Sequence, residues 1–219
     1  MSFLSDPFNW SLSYNDSIPN LLLQHLWITF VSVGLGLLIA FPIAVAVARY
    51  PRFYPPTISI ANVIYTLPSL VVMPLLIPLT GLNAPTIIIP LVAYSQVVLI
   101  RNIVAAIRGV DPALLDVGVA MGMNRRQLLG RVTLPQALPV IIAGVRIVTV
   151  TTIGIATLAP LIGVHDLGFY VFQGISFAYP DEIFGGAILI TVLALLMDFS
   201  LLGLERWLSR GTSSLMTRA

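Results

Sequence analysis

Hydrophobic residues along this chain gather into five long stretches that are separated by more polar connections. The stretches are residues 21–48, 57–80, 84–107, 137–162 and 183–204. Each is close to or longer than the roughly 20 apolar residues that an α-helix needs to cross a bilayer. The pattern therefore predicts an all-α integral membrane protein with about five transmembrane helices.

The segments that flank these stretches complete the predicted organisation. Residues 1–20 form a polar segment, residues 21–204 a single membrane domain, and residues 205–219 a short arginine-bearing tail. The first segment lacks the basic region of a cleavable signal peptide, so we expect the first stretch to be retained as a helix. Three prolines interrupt the second stretch, which membrane helices tolerate because neighbouring helices can satisfy the freed carbonyl groups.

The arginines predict the orientation of the helices. All eleven basic residues are arginines, and they lie in alternate connections, in the tail or near the matching helix ends, whereas the other connections carry acidic residues. Because basic residues mark the cytoplasmic side, we expect the N-terminus outside and the C-terminus inside. Residues 101–136, with five of the eleven arginines, are then a cytoplasmic loop between the third and fourth helices.

Composition agrees with a bilayer as the solvent and excludes several kinds of chemistry. Hydrophobic residues make up 58% of the chain and charged residues 9%, with a mean hydropathy of +0.97, whereas soluble domains carry about a quarter charged residues. Cysteine is absent, which excludes disulfides and thiol catalysis. Two isolated histidines lack the companions of a metal site, so we expect neither a metal nor a cofactor.

The positions of the two histidines do not predict a major functional role for either. His25 begins the first apolar stretch at the predicted outer interface and needs no special role. His165 lies beside Asp166 in an outer connection, where a solvent-exposed side chain is the favoured interpretation. A pH-sensitive gate element is the alternative for His165, because histidine titrates near neutral pH.

Within the long cytoplasmic loop the sequence predicts a helix, a glycine turn and a second helix. Asp111 followed by Pro112 suits a helix N-cap and first turn. Gly122 can take the left-handed conformation that ends this helix, Asn124 can cap the next, and Pro135 punctuates the start of the fourth stretch. Apolar side chains of the first helix stand beside arginines of the second, so we expect the hairpin to dock on another protein. An amphipathic surface helix among lipid head groups is the alternative.

An acidic-small-small triplet at residues 116–118, a glycine at 122 and an aliphatic-x-Leu-Pro ending at residues 132–135 stand at fixed spacing in this loop. This pattern resembles the EAA loop of ABC importer permeases, with Asp in place of the usual Glu. The resemblance implies that the loop inserts into a groove on a separate ATPase and transmits its motion to the helices. The expected coupling residues are Asp116, Val117, Gly118, Met121, Gly122, Asn124, Arg125, Arg126, Leu134 and Pro135.

A separate motor is also expected because the chain contains no lysine. A P-loop needs a lysine after its glycines to reach the phosphates, so ATP is expected to bind a partner ATPase, and this chain is expected to perform no bond chemistry. The resemblance further implies a second permease, identical or homologous, and an extracytoplasmic binding protein. We expect these partners and lipid, but no nucleic acid, in the cell membrane of a prokaryote.

Further segments resemble permeases for glycine betaine, choline and related quaternary-amine osmoprotectants. They are residues 67–69, 100–102, 110–112, the run 151–163 and residues 167–175. The resemblance implies uptake of such a cargo, with a methionine or other amino-acid importer as the nearest alternative. A secondary transporter or a channel is the alternative from another class, because proline-broken helices often border substrate sites. An intramembrane enzyme would need clustered catalytic groups that the sequence does not offer.

Three residues inside the apolar stretches are candidates for the substrate path. A quaternary ammonium is recognised by aromatic faces, which makes Tyr65 and Tyr94 candidates, with packing or interfacial anchoring as the alternative. Asp198 is a carboxylate within a membrane stretch, where charge is costly. For Asp198 we favour a structural pair with an arginine such as Arg146 over a role in the path.

Overall fold

The computed structural model describes residues 2–216. Ten α-helices account for most of this part of the chain, and the fifth predicted membrane stretch lies within the last of them. They are α1 (Ser2–Ser5), α2 (Ile18–Arg49), α3 (Tyr54–Thr66), α4 (Ser69–Thr80), α5 (Ala84–Arg108), α6 (Pro112–Ala120), α7 (Arg125–Leu128), α8 (Leu134–Ala156), α9 (Gly168–Phe177) and α10 (Pro180–Met216).

Four helical segments are long and apolar enough to cross a membrane, and a bent pair supplies a fifth crossing if it counts as one. The four are Ile18–Arg49, Ala84–Arg108, Arg125–Ala156 and Pro180–Ser209. This confirms the all-α membrane fold with four or five spans. Helix α10 begins at Pro180, just before the predicted fifth stretch, and runs without a break to Met216, well beyond the predicted end at residue 204.

The second predicted stretch is not one straight helix. Pro51–Thr66 and Ser69–Thr80 meet at an angle of 90°. Leu67 between them is extended, with ψ of 127°, because a residue that precedes proline is disfavoured in the helical region. The carbonyl of Leu67 is satisfied by the hydroxyl of Tyr94, which donates to it at 3.0 Å. A neighbouring helix thus stabilises the bend, as membrane helices with internal prolines require.

Helix α5 lies at the centre of the bundle, between α2 and α8. In its most apolar window 61% of residues are buried, against 6% in the corresponding window of α10. Small residues on α2, such as Ala40 and Ala44, are fully buried against Leu99 and Ile103 of α5, which is how membrane helices approach closely. The apolar surface of α10 therefore remains open to lipid or to another membrane protein.

The N-terminal segment folds back on the start of α10 and on α9. A short 3-10 turn at Pro7–Trp10 is capped by Asp6, whose side chain accepts from the Phe8 amide at 2.9 Å. Phe3 is buried against Tyr170 of α9, with ring centroids 4.6 Å apart in an edge-to-face arrangement. This segment is thereby tied to the same end of the bundle at which α2 and α10 begin.

Candidate functional site

The first arm of the predicted hairpin is α6, and both of its ends are specified by local sequence. At the start, the Asp111 carboxylate accepts from the Ala113 amide at 2.9 Å. At the end, the Met123 amide donates to the Gly118 carbonyl and the Gly122 amide to the Val119 carbonyl, at 3.1 and 2.9 Å. These two bonds form a Schellman motif, and Gly122 has the left-handed φ of +78° that it needs. The predicted glycine turn is confirmed.

The second arm begins with a capping box. The Asn124 carboxamide oxygen accepts from the amides of Arg126 and Gln127 at 3.1 and 3.0 Å. In return, the Gln127 side chain accepts from the Asn124 amide at 2.9 Å. Asn124 is thus confirmed as a helix cap. Gln127, three residues later, completes the motif and was not among the predicted residues.

Pro135 lies in the first turn of α8, at the predicted entry to the fourth membrane stretch, but it does not separate α8 from the hairpin. Residues Arg125–Ala156 form one helical run, in which Leu129–Thr133 is a π-helix directly before α8. Proline has no amide hydrogen to donate to the preceding turn, and the wider i to i+5 pattern accommodates this gap. Thr133 also donates its hydroxyl to the Leu128 carbonyl at 3.3 Å. The second arm of the hairpin is therefore continuous with a membrane helix.

Gly118 lies where the two arms of the hairpin approach each other closely. It is buried, and a Cβ atom at this position would lie 2.5 Å from the Leu128 side chain. Met123 and Val132 stand within 3.6 Å of the same point. The glycine at the end of the acidic-small-small triplet thus makes room for close packing of α6 on the second arm. The sequence pattern placed Gly118 among the coupling residues but did not predict this packing role.

Eight of the ten predicted coupling residues are exposed, seven of them on the hairpin and the eighth, Pro135, in the first turn of α8. Gly118 is buried, and Leu134 is partly buried against the core cluster of α2, α5 and α8. The apolar side chains of Val117, Val119 and Met121 are 58%, 60% and 71% exposed. The charged and polar residues that flank them in the sequence are also exposed, namely Asp116, Asn124, Arg125 and Arg126. An apolar patch with a polar rim is typical of a protein-binding surface.

The hairpin lies at the end of α2 that carries Arg49. Arg49, Arg125 and Arg126 line a common pocket of about 380 Å³, together with apolar side chains of α2, α5 and the hairpin. Arginines are thus concentrated at the end of the bundle where the hairpin is found. By the positive-inside rule, an arginine-rich end is expected at the cytoplasmic face.

Two of the three substrate-path candidates lie together. The rings of Tyr65 and Tyr94 are 6.1 Å apart in an edge-to-face arrangement, and both line a small recess that includes Thr151 and Thr152 of α8. Tyr65 is half exposed, whereas Tyr94 is buried and its hydroxyl is engaged with Leu67. Tyr94 therefore has a structural function at the bend between α3 and α4.

Asp198 lies elsewhere, in an ion pair between α8 and α10. Arg146 donates through Nε to one carboxylate oxygen of Asp198 and through Nη2 to the other, the second bond at 3.2 Å. A third group, Glu205, places Oε2 3.5 Å from Nη1 of Arg146. The predicted pair of Asp198 with Arg146 is confirmed. A two-pronged arginine–carboxylate contact of this kind fixes geometry as well as charge.

The expectation that His25 needs no special role was wrong. His25 and Asp166 are both fully buried, with Nδ1 of His25 2.8 Å from Oδ2 of Asp166. The other Asp166 oxygen accepts from the Gly168 amide at 2.8 Å, so this carboxylate also fixes the start of α9. The pair forms because the connection after α8 folds inward onto α2. A histidine within an apolar stretch marks His25 as unusual, but the sequence does not indicate which residue is its partner.

His165 is 46% exposed at its side chain, as the favoured interpretation predicts, yet it is not isolated. Its Nδ1 lies 2.7 Å from Oδ1 of Asp16, just before α2 begins. The connection after α8 is therefore tied to the N-terminal part of the chain at two places. Within residues 2–216, no group of three or more His, Cys, Asp or Glu side chains is arranged to hold a metal ion.

Comparisons with solved structures agree with this architecture. The permease fold in an inward-facing structure of the MetNI methionine ABC transporter matches with a TM-score of 0.76 at 22% identity, over 85% of this chain and 93% of that one. A chain of an amino acid ABC transporter with histidines matches with a TM-score of 0.72 at 23% identity, over 94% and 98%. At such identities the likeness shows the fold.

Sequence comparisons give the family. The glycine betaine/carnitine/choline permease OpuCB of Bacillus subtilis is 38% identical over 84% of both chains. The choline permease OpuBB of the same organism is 40% identical over 85% of this chain and 86% of its own length. The osmoprotectant import permease OsmW of Salmonella typhimurium is 33% identical over 90% and 94%. Residues 21–214 match the corresponding family model, and the chain belongs to the binding-protein-dependent transport system inner membrane components.

Proposed function

We propose that this chain carries quaternary-amine osmoprotectants of the glycine betaine, choline and carnitine type across the membrane, driven by a separate ATPase that docks on the α6–α7 hairpin. Family membership makes it a permease subunit. The observation that carries the docking step is the exposed apolar patch of Val117, Val119 and Met121 on a rigidly capped hairpin. An exposed apolar patch of this kind marks a binding surface, and this one lies at the arginine-rich end of the bundle.

The hairpin is suited to transmit force because it is continuous with α8. The helical run Arg125–Ala156 contains 32 residues, which corresponds to about 48 Å at 1.5 Å per residue. A displacement of the second arm by the ATPase therefore moves the whole helix, and Gly118 couples the first arm to the same movement. This is how nucleotide-driven closure would switch the permease between inward-facing and outward-facing states.

The choice of cargo rests on the curated relatives. Permeases named for glycine betaine, carnitine or choline are 38% and 40% identical over most of the chain, and one named for osmoprotectant import is 33% identical. The methionine transporter shares the fold at 22% identity. Within the chain, the half-exposed ring of Tyr65 offers aromatic surface for a cation. Asp198 is already paired with Arg146, so we assign the path to the side of Tyr65 in preference to Asp198.

The remaining partners follow from the same proposal. A second permease, identical or homologous, would cover part of the apolar surface that α10 leaves exposed, with lipid covering the rest. Two ATPase subunits would bind ATP and sit beneath the hairpins, and a binding protein would deliver cargo on the opposite side. The N-terminus would then be extracytoplasmic and the C-terminus cytoplasmic, in line with the positive-inside rule.

Site-specific cross-linking tests the docking step. The chain has no cysteine, so Met121→Cys introduces a single thiol that can be labelled with a maleimide photo-cross-linker. We expect this variant, in a complex with the cognate ATPase, to give a covalent product with the ATPase subunit. Leu38→Cys is the matched control, because Leu38 is 70% exposed in the middle of α2. Cross-links to lipid alone from position 121 would contradict docking and favour a surface helix among head groups.

A further inference from the structure

A cleft of about 630 Å³ lies at the end of the bundle opposite the hairpin. The N-terminal segment, the first half of α9 and the start of α10 enclose it, near the point where α2 begins. Helix α2 is 32 residues long, and its far end, with Arg49, lies beside the hairpin. In the orientation proposed above, this cleft opens on the extracytoplasmic side. Its volume is in the range of small-molecule sites.

Aromatic rings form both the floor and the rim of this outer cleft. The six that line it are Phe3, Phe8, Tyr14, Phe169, Tyr170 and Tyr179. On the floor, Phe3 and Tyr170 are buried with ring centroids 4.6 Å apart, and the ring of the partly buried Phe169 lies 5.9 Å from that of Tyr170. On the rim, Phe8 and Tyr14 are exposed with ring centroids 5.3 Å apart. The rim therefore presents open aromatic surface above a floor of packed rings.

The floor is held in place by a bond that crosses the chain. The Tyr170 hydroxyl donates to the backbone carbonyl of Asp16 at 2.5 Å. Burial and, after it, the charge of the nearby Asp16 carboxylate raise the pKa of this phenol, so it remains a donor. Asn9 adds a second tie by donating to the Phe3 carbonyl at 2.8 Å. The cleft is therefore built by specific contacts between the N-terminal segment and α9.

The charged side chains among the described residues that line the outer cleft are all acidic. Four of the nine acidic residues of the chain line it, and no arginine is found among its described lining residues: the four are Asp6, Asp16, Asp181 and Glu182. Asp16 is balanced in part by His165. The Oε2 atom of Glu182 is buried and has no hydrogen-bond partner within residues 2–216. A buried carboxylate oxygen without a partner is costly, and a cation in the cleft would offset that cost.

We propose that the outer cleft binds a quaternary ammonium cation that carries no carboxylate of its own, with choline as the fitting example. A quaternary ammonium donates no hydrogen bonds and is attracted by aromatic faces, whereas hard metal cations require a shell of oxygen ligands. Zwitterions such as glycine betaine and carnitine bring a carboxylate, which the acidic lining repels and no lining arginine receives. The choice among cargoes rests on the proposed function, but the cleft and its charge do not.

Binding to the purified full-length chain tests this site. The chain is held in dodecyl maltoside, which contains no choline group, and choline, tetramethylammonium and glycine betaine are titrated calorimetrically at fixed ionic strength. We expect choline and tetramethylammonium to compete for one site, and glycine betaine to bind at least about tenfold more weakly because one repelled carboxylate is worth this much at a partly exposed site. Equal affinity for glycine betaine would overturn the assignment.

Two pairs of variants place the ligand in the cleft. Glu182→Gln removes charge while keeping shape and should weaken choline binding about tenfold, whereas Glu182→Asp should retain most of it. Tyr14→Leu should weaken binding about fivefold or more through the lost ring, whereas Tyr14→Phe should not. Phe199→Leu, at an exposed position of α10 away from the cleft, is the control. Circular dichroism confirms that each variant is folded.

The result is separable from the proposed function. Absence of saturable choline binding, or wild-type affinity in both Glu182→Gln and Tyr14→Leu, would overturn the cleft even if ATP-driven uptake is normal. Conversely, choline binding with these variant effects would support the cleft even if uptake does not depend on ATP. A third outcome would assign the cleft to a protein partner. If the extracytoplasmic binding protein protects the thiol of Tyr14→Cys from a labelling reagent and choline does not, the proposal is overturned.

Discussion

Replacement of Gly122 by alanine changes one atom at the tip of the hairpin and tests its role directly. Gly122 has a φ of +78° within a Schellman motif. A residue with a Cβ atom in this conformation costs about 1–2 kcal/mol. The added Cβ would meet no described heavy atom within 4 Å, so this cost arises from the backbone and not from a clash inside the chain.

The backbone strain is relieved when the turn opens. The strain therefore lowers the population of the docking conformation. A cost of about 1–2 kcal/mol corresponds to a change of roughly 5- to 30-fold in that equilibrium. The apolar core of the spans does not include Gly122, so folding and membrane insertion should be unaffected. We therefore expect Gly122→Ala to retain ATP hydrolysis by the complex while transport per ATP hydrolysed falls several-fold.

The assay measures ATP hydrolysis and cargo uptake in the same proteoliposomes, with the cognate ATPase and binding protein present. Gly122→Asn should be milder than Gly122→Ala, because asparagine tolerates the left-handed region better. Gly130→Ala is the matched control, since Gly130 lies in the same hairpin without a positive φ and with open space around it. Full transport by Gly122→Ala would refute the reasoning, and a stronger defect in Gly122→Asn would point to a steric clash with the ATPase instead.

Three further substitutions test the polar contacts of the bundle. Asp198→Asn removes one of the two carboxylates that contact Arg146, so it should lower the thermal unfolding temperature by a few degrees, while uptake per folded molecule stays unchanged. Reduced uptake at wild-type stability would place Asp198 in the path. His25→Ala leaves Asp166 buried without its partner and should lower the free energy of unfolding by about 3 kcal/mol. An unchanged melting temperature would contradict the buried pair. Tyr94→Phe removes the hydroxyl that holds the α3–α4 bend and should cost about 1 kcal/mol, whereas Tyr65→Phe, measured alongside, should cost nothing.

Features that depend on neighbouring residues were accessible from the sequence. The caps at Asp111 and Asn124 and the left-handed turn at Gly122 follow from rules that operate within one helical turn. The apolar stretches predicted the membrane helices for the same reason, because hydrophobic length is a local property. Asp198 paired with Arg146 was also accessible, since a charge within the membrane needs a partner and few candidates exist.

Features that depend on distant segments were not accessible. The contact of His25 with Asp166 joins the first helix to a connection late in the chain, and no local pattern encodes it. The 90° bend between α3 and α4 depends on which of three prolines is placed where Tyr94 can satisfy the freed carbonyl. At Pro135 the opposite occurred, because a π-helix absorbed the missing hydrogen bond and the helix continued. Proline alone therefore does not predict where a membrane helix breaks.

Uptake driven by ATP is the measurement that bears most directly on the function of this chain. The permease, its cognate ATPase and the binding protein are reconstituted into liposomes, and uptake of radiolabelled choline and glycine betaine is followed with ATP supplied on the ATPase side. We predict accumulation that requires ATP hydrolysis, that stops when the ATPase is left out, and that falls several-fold with Gly122→Ala. Accumulation by the permease alone under an ion gradient, without any ATPase, would contradict an ATP-driven importer.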